Sequence, residues 1–271
     1  MADILLRAAE SGDMPGMLAL WHKVFGDPPE LIKAFQELLP EIGTAAVAVE
    51  GSQPVGAAYA ITAMELVRPG AEPLPCAYVY SVAVDPAHRD KGLGAKLSIL
   101  AADLAKERGA ELTCTLPAED SLYPWYEKVL GVEQVLSRRR LEGLAGEKGG
   151  WRKAGALEYG REREKLLEGR EHQRLKEPCL RFAESFFGCF EGGLYTRGDA
   201  LAAAYGDEKS LYIRELLTAE GQDVEKLAAE LCGSLGRERF ILDIPGTKGA
   251  AYLSARPGMI APDCFWSFCF D

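Results

Sequence analysis

The sequence predicts a mixed α/β protein of the α+β type, built from two sheet-containing halves. Strand-like apolar runs alternate with stretches of helical apolar spacing along the whole chain. The run "CAYVYSVAVD", Cys76 to Asp85, is apolar almost throughout, as expected of a central strand covered on both faces. A strand–helix–strand order also recurs at one offset of roughly 130 residues, as in a repeated unit.

Element by element, "DILLRAA" reads as a first strand. Met17, Leu20, Trp21 and Val24 give a helix over Asp13 to Phe25. "DPPE" then predicts a second helix: Asp27 as cap, Pro28 at the first position, Glu30 closing a capping box, and a stop at Pro40. "TAAVAVE" and "PVGAAYAITAMEL" flank "GSQP", a hairpin signal. The central strand comes next, then a helix marked by Leu93, Leu97, Leu100 and Leu104 that ends near Gly109. "ELTCTLP" is a further strand, "SLYPWYEKVLGV" a short helix ending at Gly131, and "EQVLSRRRLE" the last strand of the first half.

The chain has 271 residues and a net charge of −10, with 48% apolar and 27% charged residues. That balance is one of a soluble globular protein and argues against a nucleic-acid partner, which calls for a basic stripe. The basic cluster Arg138-Arg139-Arg140 is expected on a solvated surface. No apolar run approaches the ~20 residues of a membrane span, and the start lacks a secretory pattern. A cytoplasmic location with no membrane partner is expected. Seven cysteines at irregular spacing and three scattered histidines suggest neither a disulfide framework nor a metal site.

The stretch "RDKGLGAKL", Arg89 to Leu97, lies between a strand end and a helix start. Helix N-termini expose unpaired N–H groups and the positive end of the dipole, so they bind phosphate. Gly92 and Gly94 let a ligand approach the backbone, and Arg89 orients the loop or meets a phosphate. The spacing is neither a Walker loop nor a dinucleotide fingerprint.

"VYSVAVDPAHRDKGLGAKLSILAADLAKERGA" resembles the acetyl-CoA-binding core of the GNAT superfamily of N-acetyltransferases, and the resemblance extends from Ile4 to about Leu141. It implies that the loop Arg89, Asp90, Lys91, Gly92, Leu93, Gly94 and Ala95 cradles the pyrophosphate of coenzyme A. It implies that the pantetheine arm lies along Val82, Ala83 and Val84, where the fourth strand splays from the fifth. Direct attack of an amine on the thioester follows, with Val82 or Ala83 polarising the carbonyl through its amide. Within "YEKVLGV", Tyr126 matches the family's proton donor. One extra residue before the glycine leaves Tyr123 as a rival. Many members place a glutamate base near the position of Tyr78, which is itself a poor base. Glu41 reads as a solvated acid, and Cys114 as core packing. Acetyl-CoA is thus the expected cosubstrate, without a metal. The expected acceptor is an amine-bearing small molecule or peptide.

Three domains are expected: 1–145, the catalytic domain; 146–180, an exposed helical connector ending at Pro178; and 181–271, a smaller, degenerate GNAT-like domain. In the last, "RFAESFFGCFEGG", "DALAAAYGD" and "SLYIRELLTA" read as strands, "DVEKLAAELCGSL" as a helix, and "RFILDIPG", "AYLSARPGMI" and "CFWSFCFD" as strands. "LYIREL" answers "VYSVAV", and Pro245 answers Pro117. The loop there is "LTAEGQDVEKL", whose Glu220, Asp223 and Glu225 repel a pyrophosphate. This half is expected to bind no coenzyme A and to wall the acceptor pocket or form a homodimer. The alternative to an enzyme is a non-catalytic acyl-CoA-binding sensor or scaffold of the same fold.

Overall fold

The computed structural model describes residues 3–246 and 249–270. In chain order its elements are β1 (Ile4–Ala8), α1 (Met14–Phe25), α2 (Pro29–Ile42), β2 (Gly43–Glu50), β3 (Gln53–Val67), β4 (Leu74–Val84), α3 (Leu93–Glu107), β5 (Leu112–Thr115), α4 (Tyr123–Leu130) and β6 (Glu133–Leu144). They continue with β7 (Arg152–Lys153), α5 (Ala156–Leu166), β8 (His172–Leu175), α6 (Glu177–Cys189), β9 (Gly193–Arg197), β10 (Ala200–Gly206), β11 (Ser210–Thr218), α7 (Val224–Ser234), β12 (Arg239–Gly246) and β13 (Ala250–Ala255). The chain forms two compact units. The first holds the residues up to Leu66, Pro73–Val135 and Tyr252–Ile260; the second holds Val67–Glu72, Leu136–Ala251 and the residues from Ala261 on.

In the first unit the strand order is β1-β2-β3-β4-β5-β13. Pairing is antiparallel except between β4 and β5. α3 lays Leu93, Leu97, Ala101 and Ala105 on the alanine-rich face of β2, β3 and β4. Gly56 on β3 permits this close approach, since a Cβ there would stand 2.6 Å from Leu97 Cδ1. On α1 and α2, Trp21 and Phe35 pack edge-on to each other, Trp21 edge-on to Tyr80 and Phe35 edge-on to Tyr59, while the Trp21–Tyr59 and Phe35–Tyr80 pairs are tilted.

The α2 cap differs from expectation. The helix begins at Pro29, no side chain caps it, and Pro40 lies inside its last turn. Asp27 instead accepts the Trp21 indole N–H at 2.6 Å. Arg108 closes the other end by donating to the carbonyls of Pro40 and Gly43.

In the second unit the order is β6-β12-β11-β10-β9-β7, with β11 and β12 parallel. Here the linear reading gives way. β6, expected to close the first domain, pairs with β12 from Ser137↔Gly246 to Leu144↔Arg239. The place beside β5 is taken by β13, through Ser254↔Thr115 and Ala255↔Cys114. "RFAESFFGCF" lies in helix α6, because Cys179, Phe182, Ala183, Phe186 and Phe187 form one apolar stripe at helical spacing. The connector is not exposed: Tyr159 and Arg163 on α5 are buried. The strand expected over 264–271 is absent among its described residues, which form only a bridge from Phe265 to His172.

The basic cluster is not simply solvated either. Arg140 donates to both Asp243 oxygens (2.9 and 3.1 Å), Arg214 donates to the same carboxylate, and Arg138 stands 3.6 Å away. Burial opposes the Asp243 charge, but the arginines outweigh it and hold the carboxyl below its ordinary range.

Candidate active site

The site grows from a defect in β4. Tyr59 pairs with Tyr80 and Ala57 with Ala83, so Ser81 and Val82 together face one residue of β3. This is a bulge, and Ser81 adopts φ +47, a conformation that a non-glycine residue takes only under constraint. Pairing with β5 stops at Val79↔Thr115. Val82, Ala83 and Val84 therefore run beyond the partner strand, and β5 leaves their edge on that side without a ladder. The Asp85 amide donates to Val55 O on β3 at 2.9 Å. Strand alternation then turns the Ala83 amide to β3 as well, and the Val84 amide to the opposite edge; Val82 shares that edge.

The loop after β4 is braced. Lys23 on α1 pairs with Asp85 at 2.7 Å, and Asp85 accepts the Ala87 amide. These two contacts, Lys23 first, hold the Asp85 carboxyl below its ordinary range. His88 Nε2 lies 3.3 Å from Glu50. Arg89, Asp90 and Lys91 are exposed, and Asp90 takes φ +63.

Gly92 caps α3 at φ +71, and no side chain covers the amides of the first turn. The two glycines have different causes. Gly92 is there for its backbone angle. Gly94 is helical, and a Cβ on it would meet Trp125 and Val84 only at 3.7–3.8 Å, which is ordinary contact. The protein's own packing would accept alanine at 94. A bare backbone at the first turn of α3, beside amides that no side chain caps, fits a phosphate-bearing ligand.

α4 supplies the opposite wall. Its Trp125 indole flanks Gly94 and stacks edge-on to Tyr126 at 4.7 Å. Tyr126 is 8% exposed. Burial pushes its phenol up to about 12, while a hydrogen bond with the Thr115 side chain pulls the other way. Thr115 in turn donates to Val79 O at 3.0 Å. Tyr126 therefore reaches the fork where β4 and β5 part. Tyr123 opens α4 half-buried. Tyr78 is buried and stacked on Tyr80, Glu41 is exposed on the last turn of α2, and Cys114 is buried within β5. No group of metal-ligating side chains occurs among the described residues.

Thr115, Trp125 and Ser81 are the site residues the sequence did not single out. Trp125 carried a usable signal, its place beside Tyr126 in "YPWYEK". The bulge at Ser81 carried none.

Residues 6–129 match the family model of the acetyltransferase (GNAT) domain. Among solved structures, a conserved protein from Enterococcus faecalis V583 is 15% identical, over 94% of this chain and 72% of that one, with a TM-score of 0.70. A GCN5-related N-acetyltransferase from Kribbella flavida is 17% identical over 93% and 71%, with a TM-score of 0.66. Another from Sphaerobacter thermophilus is 13% identical over 96% and 99%, with a TM-score of 0.55. At these identities the likeness establishes the fold. A search of curated proteins finds no match. The loop's resemblance, the fold and the family match converge, and the chain carries a GNAT-family acetyltransferase domain over residues 6–129.

Proposed function

We propose that this domain transfers the acetyl group of acetyl-CoA to a primary amine by direct attack. The cosubstrate supplies an activated thioester; the chain supplies position and polarity. The amides of Leu93, Gly94 and Ala95 receive the pyrophosphate, with Arg89, Asp90 and Lys91 at its rim. The β4 segment Val82, Ala83 and Val84 aligns the pantetheine arm through the edge that Val82 and Val84 present away from β3, and the Val82 amide polarises the thioester carbonyl. Tyr126 is protonated at neutral pH and gives its proton to the leaving thiolate; Tyr123 is the alternative donor. The acceptor is an amine-bearing small molecule or peptide, and a net charge of −10 favours a cationic one.

Gly94 carries this reading: the packing around it would accept a methyl group, so the fold does not call for glycine there, whereas a phosphate resting on the bare backbone would. The second unit supports a single site per chain. Its β11–α7–β12 arrangement is parallel, like β4–α3–β5. Yet the Asp223 carboxylate already accepts the Glu225 and Lys226 amides at 3.0 and 3.1 Å, where a phosphate would sit. We read it as a degenerate copy that binds no coenzyme A.

The test is release of free coenzyme A thiol from acetyl-CoA over a panel of amines. Turnover with at least one amine, lost in Gly94→Val, is expected. Tight acetyl-CoA binding with no turnover on any amine would instead identify a sensor or scaffold.

A further inference from the structure

The ring of His88 stands between two carboxylates, one residue ahead of the loop that begins at Arg89. Its Nε2 lies 3.3 Å from Glu50 Oε2, at the end of β2. Its Nδ1 lies 3.9 Å from Asp85 Oδ1, just past the end of β4. The side chain is 17% exposed, and Nδ1 is buried without a hydrogen-bond partner. The other Asp85 oxygen meets Lys23 of α1 at 2.7 Å. A chain of charged groups therefore runs from α1 through Asp85 and His88 to β2.

This placement selects a protonation state. A neutral imidazole carries one N–H and one lone pair. With the proton on Nε2, the lone pair of Nδ1 faces Asp85. With the proton on Nδ1, the lone pair of Nε2 faces Glu50. Either neutral form sets a lone pair against a carboxylate; the imidazolium alone offers a proton to both. The charged groups facing the ring are Glu50 from β2 and Asp85 from the loop, with Lys23 behind Asp85. The next residue, Arg89, is turned to the Val84 carbonyl at 3.4 Å. Beyond it Asp90 holds φ +63 and Gly92 φ +71, a backbone course that the loop's surroundings have to maintain.

We propose that His88 is a positioning residue for the phosphate loop: as an imidazolium it ties the start of the loop to β2 through Glu50, and its deprotonation frees the loop and weakens acetyl-CoA binding. This rests on the reading of Arg89 to Ala95 as the coenzyme A loop. The switch exchanges one proton between the ring and solvent, and no other bond changes.

The experiment is calorimetric titration of acetyl-CoA into the full chain at about pH 5.5 and about pH 8.5, the two sides of ordinary histidine titration. It compares the parent, His88→Gln, Glu50→Gln and the His88→Gln/Glu50→Gln pair, with unliganded unfolding measured alongside. His88→Asn takes the glutamine's place if that variant does not fold. Ligand phosphates that titrate in this range do so for parent and variant alike. Near pH 5.5 the parent should bind about three- to fivefold more tightly than His88→Gln, the scale of partly exposed ion pairs. By about pH 8.5 the ratio should fall to near one. Glu50→Gln separates a tie from a simple charge effect. It removes an anion from a region that receives phosphate, so charge alone would tighten binding. The tie predicts the reverse: about the same loss as in His88→Gln near pH 5.5, with none added in the pair.

A ratio that is equal at the two pH values would make His88 an uncharged structural residue. Tighter binding in Glu50→Gln would show that the ligand feels the pair only as charge. Either result would overturn the proposal and leave the coenzyme A loop in place. A parent that binds no acetyl-CoA at either pH would remove the reading of the loop itself, and the proposal with it.

Discussion

Two glycines two positions apart do different work, and substitution separates them. Gly92 holds φ +71, where an L-residue costs roughly 1–2 kcal/mol. Gly92→Ala should therefore destabilise the fold by about 1 kcal/mol in denaturant unfolding, although nothing lies within 4 Å of the added methyl. Unchanged stability would mean that the loop relaxes freely and is not held by Asp85 and His88. Much of the candidate site, as proposed, is drawn from this scale. The glycine pattern and the two tyrosines stand in short stretches whose spacing carries the meaning. Ser81, Thr115 and the facing of Trp125 to Gly94 were not legible, because each depends on residues brought together by the sheet. A serine forced to positive φ by a bulge leaves no mark in the sequence.

Among the elements, short strands and helices with local signals were readable: β1 to β5, α1, α3, α4 and α7 lie close to where periodicity puts them. The misreadings share a cause. "RFAESFFGCF" is aromatic enough for a strand, but its buried residues follow the helical period of α6. "CFWSFCF" is apolar enough for a strand, yet beyond the single bridge at Phe265 it is held by side chains rather than by a ladder. Glu215 on β11, which is fully buried, accepts from Tyr159 at 2.6 Å, from Arg163 at 3.0 Å and from Ser267. Gln173 accepts the Phe268 amide at 3.1 Å and donates to the Phe268 carbonyl at 2.9 Å.

Removing one partner leaves buried charge behind, so Glu215→Ala should cost on the order of 3–5 kcal/mol. Tyr159→Phe, which deletes one charge-assisted bond, should cost about 1.5–3 kcal/mol. Burial and then the Glu215 charge raise the Tyr159 phenol well above its ordinary value of 10. The folded state therefore keeps that proton while the unfolded chain loses it. The contribution is complete below about pH 10 and is lost above it. Unfolding measured from pH 8 to 11 should show a fall in stability that is shallower in Tyr159→Phe; identical curves would refute the assignment.

At the scale of the molecule, neither unit is a continuous stretch of chain. The chain leaves the first unit at Val135 and comes back for Tyr252–Ile260. Pattern reading divides a chain in order and has no means of seeing a strand supplied from far downstream. A fragment of residues 1–145 would lack β13, leaving the β5 edge at Cys114 and Thr115 unpaired and β6 without β12. Circular dichroism with heating should show no cooperative transition for that fragment; a sharp one would show that β13 is dispensable. The same scale bears on ligand count, since the amides at the start of α7 are already taken by Asp223.

The central claim is one acetyl-CoA site, at the bare backbone of Gly94. Calorimetric titration of acetyl-CoA into the parent and into Gly94→Ala, with unliganded stability measured alongside, tests it most directly. The parent should bind one equivalent per chain and gain about 2.7 kcal/mol of stability at 100 times the dissociation constant. Gly94→Ala should be at least as stable without ligand, by up to roughly 0.5 kcal/mol, and should bind at least about tenfold more weakly, a loss of ~1.4 kcal/mol. Equal affinity in the two proteins, or a second equivalent bound to the parent, would contradict the account.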